Sequence, residues 1–185
     1  MPTEDDIKSN LQAHIEDLVR EHDIKMDQRY NLAGMMYVEE EPPRIEVPSL
    51  VPCRHAPSVA LCYMVALHEI GHVVMGHTQG RPPHIHKTHY FDNGVLKSEA
   101  EAWMWALKNR KCKLEQWESE YMAERYIGSY RERAFIEGSN IDTTLRNGNR
   151  HHVTFRWDDP NNRYVIDVIR KLKNSYANTT EEVYE

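Results

Sequence analysis

The chain has 185 residues, with 23 basic against 29 acidic side chains and a formal charge of -6. That length suits a single domain that buries its core without disulfide staples, and without a basic stripe to neutralise phosphates direct nucleic-acid binding is not expected. No apolar run approaches the ~20 residues that span a bilayer, so no membrane role is expected. Three cysteines without paired spacing, and an acidic N-terminus without a secretory pattern, point to the reducing cytoplasm.

Ile7, Leu11, Ile15, Leu18 and Val19 recur at helical spacing among charged residues and predict an amphipathic helix over 3–23. His14 and His22 lie on or beside it, and their expected role is that of surface or internally satisfied histidines rather than metal ligands. Residues 30–38 and 44–50 read as short strands around the charged, proline-paired turn Glu39-Glu40-Glu41-Pro42-Pro43. Because Pro48 and Pro52 cannot donate to a ladder, the second strand or its end is expected at a sheet edge, although a strand capped by a loop would look the same.

Pro57-Ser58 signals the start of a helix over 58–75, with Gly76 as its stop. Leu61, Met64, Val65, Leu67, Ile70, Val73, Val74 and Met75 make it apolar nearly all round, the pattern of a buried helix. It carries His68-Glu69-Ile70-Gly71-His72. Residues four apart share a helix face, so His68 and His72 can converge on one metal ion, and Glu69 is placed to take a proton from a water on that metal. The motif is short enough to arise by chance, but each of its polar side chains would be costly to bury alone, and a shared metal explains all of them.

Residues 76–96 turn polar and turn-rich, with His77, His84, His86 and His89 among Gly80, Pro82 and Pro83. A second site at His84, His86 and His89 is the alternative to ordinary loop histidines. The zinc class that takes a third histidine after the pair would need glycine and histidine where Met75 and Thr78 stand. The third ligand is therefore sought on the next helix, over 95–110. Glu99 and Glu101 lie about 200° apart around such a helix and cannot both face one metal. Glu99 shares a face with Leu96, Ala102, Trp103 and Ala106, an apolar stripe whose small residues permit close approach, so Glu99 is the expected ligand and Glu101 a surface charge.

A helix is expected over 114–130, continuing to 137, with Gly138-Ser139-Asn140 ending it. A turn follows at 146–150, then a half-buried strand through Val153, Phe155 and Trp157, a helix over 163–174 and a frayed tail. The whole chain is read as one α+β domain, helices packed on a small sheet, with a core over about residues 25–137 and a strand-helix extension over about 138–185.

Leu67-His68-Glu69-Ile70-Gly71-His72-Val73-Val74-Met75-Gly76-His77, followed by Glu99-Ala100-Glu101-Ala102-Trp103-Met104-Trp105-Ala106, resembles the ImmA/IrrE-type zinc metallopeptidases, including divergent members on phages and mobile elements. The resemblance covers roughly residues 44–110. It implies a zincin-like domain with a gluzincin-like ligand set, in which His68, His72 and Glu99 hold one zinc ion and Glu69 is the base. Characterised relatives cut a repressor at a specific bond, so a protein or peptide is the implied substrate. His77, His89 and Tyr90 are the candidate transition-state donors. An extended substrate is expected beside an edge strand at Arg44 to Val47. The rivals are a non-catalytic zinc-stabilised binding module and a hydrolase of a non-peptide bond.

Overall fold

The computed structural model describes residues 3–31, 34–37, 40–77, 93–127, 140–144, 150–154 and 160–177. Its elements are α1 (Glu4–Glu21), β1 (Lys25–Arg29), β2 (Met35–Tyr37), β3 (Arg44–Pro48), α2 (Val59–Val74), α3 (Asn93–Asn109), α4 (Gln116–Tyr121), β4 (Asn140–Thr144), β5 (Arg150–Thr154) and α5 (Pro160–Lys173). The molecule is α+β, and among its described residues no helix is long and apolar enough to cross a membrane. The three cysteines are free thiols.

Local chemistry sets the helix ends. Thr3 caps α1 through a reciprocal box, its hydroxyl accepting from the Asp6 N–H at 3.2 Å while the Asp6 carboxylate accepts from the Thr3 N–H at 2.9 Å. Ser58 caps α2 by accepting from the Leu61 N–H at 3.1 Å, and its own hydroxyl donates to the buried Glu118. Pro160 opens α5, where its missing N–H leaves no partner unsatisfied. Within the helix expected over 114–130, α4 passes into a π-helical turn over Met122–Ile127, and residues 128–130 lie outside the described residues. Its expected continuation to 137, the turn at 146–150 up to Arg150, Phe155, Trp157 and the tail beyond 177 lie outside the described residues.

The three-stranded sheet has the order β1-β3-β2, with β1 parallel and β2 antiparallel to β3. This corrects two expectations: Lys25–Arg29 is a strand, and β3 is central rather than at an edge. Pro48 is tolerated there because β2 ends its pairing at Met35 opposite Glu46, and because the carbonyl of Arg29 accepts from the Ser49 N–H at 3.0 Å. Substrate therefore cannot add along Arg44 to Val47. Ile45 and Val47 are fully buried, while Glu46, on the opposite face, is held by Arg44 at 2.8 Å and Arg29 at 3.1 Å. A separate antiparallel pair, β4 with β5, includes His151 and His152 opposite Thr143 and Asp142.

Helix α2 is the axis of the core, buried continuously from Leu61 to His72. It meets α3 closely because Gly71 has no side chain: a Cβ there would lie 3.0 Å from the Ala102 carbonyl oxygen and 3.2 Å from the Trp105 ring. Val168, Ile169 and Leu172 of α5 join the same cluster as Ile70 and Ala106.

His14 is buried and hydrogen-bonded to the Tyr63 hydroxyl at 2.7 Å, and that hydroxyl accepts from the Lys111 N–H at 2.9 Å. With Lys111 donating, the hydroxyl proton has His14 Nδ1 as its acceptor, which requires a neutral imidazole. Burial, and then the charge of Lys111, holds the His14 pKa below its usual value against an opposing effect of Asp17. The folded state therefore binds fewer protons here than the unfolded chain, so this contribution is present above about pH 6.5 and is lost as pH falls below it. In metal-free protein, His14→Asn should flatten the loss of thermal stability on acidification below pH 6.5, as read by melting curves of both proteins across that range. An unchanged profile would show that His14 is not among the groups responsible.

Candidate metal centre

The sequence places His68 and His72 one helical turn apart on α2, and the Gly71–Ala102 approach brings α3 near enough for Glu99 to reach both. Nε2 of His68 lies 3.0 Å from Nε2 of His72 and 3.2 Å from Oε2 of Glu99, and Nε2 of His72 lies 3.6 Å from Oε1 of Glu99. Donors held tetrahedrally at ~2.0–2.1 Å from one ion sit about 3.3 Å from each other, the middle of these separations. This is the only such group of His, Cys, Asp or Glu side chains among the described residues.

Proton counting favours a cation at the same point. Of two neutral imidazoles meeting through Nε2, only one can donate, which leaves the other ring's lone pair facing the Glu99 carboxylate. The charges agree. Burial opposes ionisation of Glu99, but hydrogen bonds and charges from His68 and His72 hold its carboxyl well below the usual range. Burial likewise opposes a positive His72, yet Glu99, through its hydrogen bond and charge, and then Glu69 raise its pKa. Burial, with the charge of His72, pulls His68 down to about 4 against the pull of Glu99. A carboxylate that keeps its charge where two imidazole Nε2 atoms converge is a site that could hold a metal ion.

No protein-family model matches the chain, and no curated protein or solved structure matches it either.

Glu69 follows His68 on the same helix but does not join the donor group. It is buried, and burial, with the nearby charge of Glu99 and against that of His72, pushes its carboxyl up to about 8. The chain entering β2 runs directly over it. Gly34, at φ +97°, has space for no more than hydrogen there, since a Cβ would lie 2.5 Å from Oε1 of Glu69 and 3.0 Å from Cγ1 of Val65.

Trp103 stacks on the His68 ring, with centroids 4.2 Å apart and planes 19° from parallel. The other His68 nitrogen, Nδ1, is buried without a hydrogen-bond partner among the described residues, where the Trp103 stack is the contact that orients this ring. His77 packs on the outer edge of His72. Its Nδ1 lies 3.0 Å from Nδ1 of His72, on the edge opposite the convergence point, and its Nε2 lies 3.1 Å from Oε2 of Glu101. Glu101 is thus a partner of His77 and not the plain surface charge expected. His89 and Tyr90, and the alternative site at His84, His86 and His89, lie outside the described residues.

The roles of Gly34, Trp103 and the His77–Glu101 pair were not anticipated from sequence. A signal existed for the last of these: Gly76-His77 directly after a helix is a recognisable stop, and such stops bring the following residue back onto the final turn.

Proposed function

We propose that the chain is a zinc-dependent endopeptidase of the ImmA/IrrE type, with a zincin-like arrangement in which α2 and α3 supply the metal ligands. The observation that carries this reading is the convergence of His68, His72 and Glu99 within hydrogen-bonding range of one point, with Glu69 buried beside them on α2. Two imidazoles and one carboxylate leaving a fourth position open form the ligand set of catalytic zinc. Zinc bound there would bring the pKa of a coordinated water toward about 7 and polarise a substrate carbonyl.

Glu69 would accept a proton from the water whose oxygen attacks the substrate carbonyl carbon and return it to the amine as the C–N bond breaks, so that water is added across the peptide bond with no net change in the enzyme. Its burial suits that task. A carboxyl raised toward neutrality holds a proton better than an exposed one, and a nearby dication would favour its ionised form before the reaction. Trp103 fixes the plane of His68, and Glu99 keeps negative charge at the site.

An extended substrate would pair with β2, an edge strand of its sheet that also packs against α2. The chain leading into that strand, at Gly34, lies over Glu69. A protein or peptide substrate fits this arrangement, and cleavage of a regulatory protein such as a repressor is the role drawn from the resemblance. The competing reading, a zinc-stabilised binding module without catalysis, draws support from the burial of His68, Glu69 and His72 at 6–8% exposure. Zinc-loaded protein incubated with a diverse peptide library is expected to generate new N-termini that disappear on chelation and return with zinc. Absence of zinc-dependent cleavage across the library would favour the binding module.

A further inference from the structure

Helix α2 ends in a Schellman motif. The Gly76 N–H donates to the Val73 carbonyl at 3.0 Å and the His77 N–H to the His72 carbonyl at 2.9 Å, with Gly76 at φ +68°. In this motif the residue after the glycine packs on the one five positions earlier, and the contact between them is commonly apolar. Here those two residues are His77 and His72, and the contact is a hydrogen bond between their Nδ1 atoms at 3.0 Å. The rings meet edge to face, with centroids 5.1 Å apart. A Cβ on Gly76 would meet nothing within 4 Å, so glycine is needed there for its backbone conformation and not for space.

The direction of each proton follows from the far end of the chain of contacts. An ionised Glu101 only accepts, so His77 Nε2 carries the hydrogen across the 3.1 Å contact. A neutral His77 then offers a lone pair at Nδ1, and the proton in the Nδ1–Nδ1 bond belongs to His72. His72 is thereby held as its Nδ1–H tautomer, with the Nε2 lone pair directed at His68 and Glu99.

We propose that His77 and Glu101 are positioning residues for the metal: a Glu101–His77–His72 chain, built on the helix cap, that fixes the tautomer and ring orientation of His72. This rests on the zinc reading of the site. Metal-ligating histidines generally donate their other N–H to an outer partner, and losing that partner weakens metal binding about 10- to 100-fold. Among the described residues His68 Nδ1 has no such partner, so the outer hydrogen-bonded support they give the two imidazoles falls on His72.

The test uses the full chain and zinc alone. Zinc dissociation constants are measured by chelator competition for the wild type, His77→Phe, Glu101→Ala, Glu101→Gln and the His77→Phe/Glu101→Ala double variant, alongside melting of each metal-free protein. His77→Phe and Glu101→Ala should each weaken zinc binding about 10- to 100-fold with little change in metal-free melting. The double variant should be no worse than the poorer single one, because the contacts act in series. Glu101→Gln, whose amide oxygen still accepts from His77, should recover most of the affinity. Nitrogen-15 shifts of the His72 ring in zinc-loaded wild type should show the proton at Nδ1.

Dissociation constants within twofold of wild type in both His77→Phe and Glu101→Ala would overturn the proposal while leaving the zinc reading intact. So would losses confined to metal-free melting, which would mark a merely structural contact. A wild type that binds no zinc would overturn both.

Discussion

Glu69→Gln is expected to bind zinc as the wild type does and to cleave substrate about 10²- to 10⁴-fold more slowly, the usual contribution of a general acid-base residue. The two properties separate because Glu69 stands outside the donor group while sharing its helix. Glutamine keeps the size and helix preference of glutamate, and burial of a neutral amide is less costly than burial of a carboxylate, so neither the fold nor the ligands should suffer. What the amide cannot do is accept a proton from water and pass it to the leaving nitrogen. Substrate should therefore bind and persist. Turnover equal to wild type with zinc in place would remove Glu69 from the chemistry, and the binding-module reading would take over.

Gly34→Ala should lower turnover about 10²-fold while leaving zinc affinity unchanged. The new methyl would lie 2.5 Å from Oε1 and 3.1 Å from Cδ of Glu69, a separation that forces movement. The Glu69 carboxylate ends a flexible side chain, so it moves before the backbone does, and a misplacement of about 1 Å can lower a rate by about 10². The backbone at φ +97° adds strain of about 1–3 kcal/mol for a residue with a Cβ, visible as a lower melting temperature. Single-turnover cleavage and chelator competition on the same sample separate the two effects. If zinc affinity fell with the rate, or the rate held, Gly34 would not act through Glu69.

The buried helix and its histidine-bearing turn were legible because helical periodicity is strong there: α2 runs Val59–Val74 against an expected 58–75, and it is buried from Leu61 to His72, while Val73 and Val74 are half-buried and Met75, also counted in its apolar surround, is exposed. The choice of Glu99 rested on the same periodicity, and Ala102, a small residue on its face, is where α3 approaches Gly71. Strands β1 and β4 were not legible. Lys25–Arg29 contains one apolar residue, Met26, and Asn140–Thr144 contains one, Ile141, too few for alternation to register. Prolines misled the placement of β3, since Pro48 falls where one ladder has ended and Ser49 serves the other. The helical wheel set Glu101 apart from Glu99, and Glu101 does not join the His68-His72-Glu99 group, but the wheel could not reveal His77, which the Gly76 turn folds back toward Glu101 from beyond the end of α2.

The most direct measurement is the zinc content of the wild-type chain, His72→Ala and Glu99→Ala, each loaded with excess zinc and then dialysed against a weak chelator. One equivalent is expected in the wild type and far less than one in either variant, with all three folded by circular dichroism. A wild type that retains no zinc, or variants that retain a full equivalent, would contradict the zinc reading.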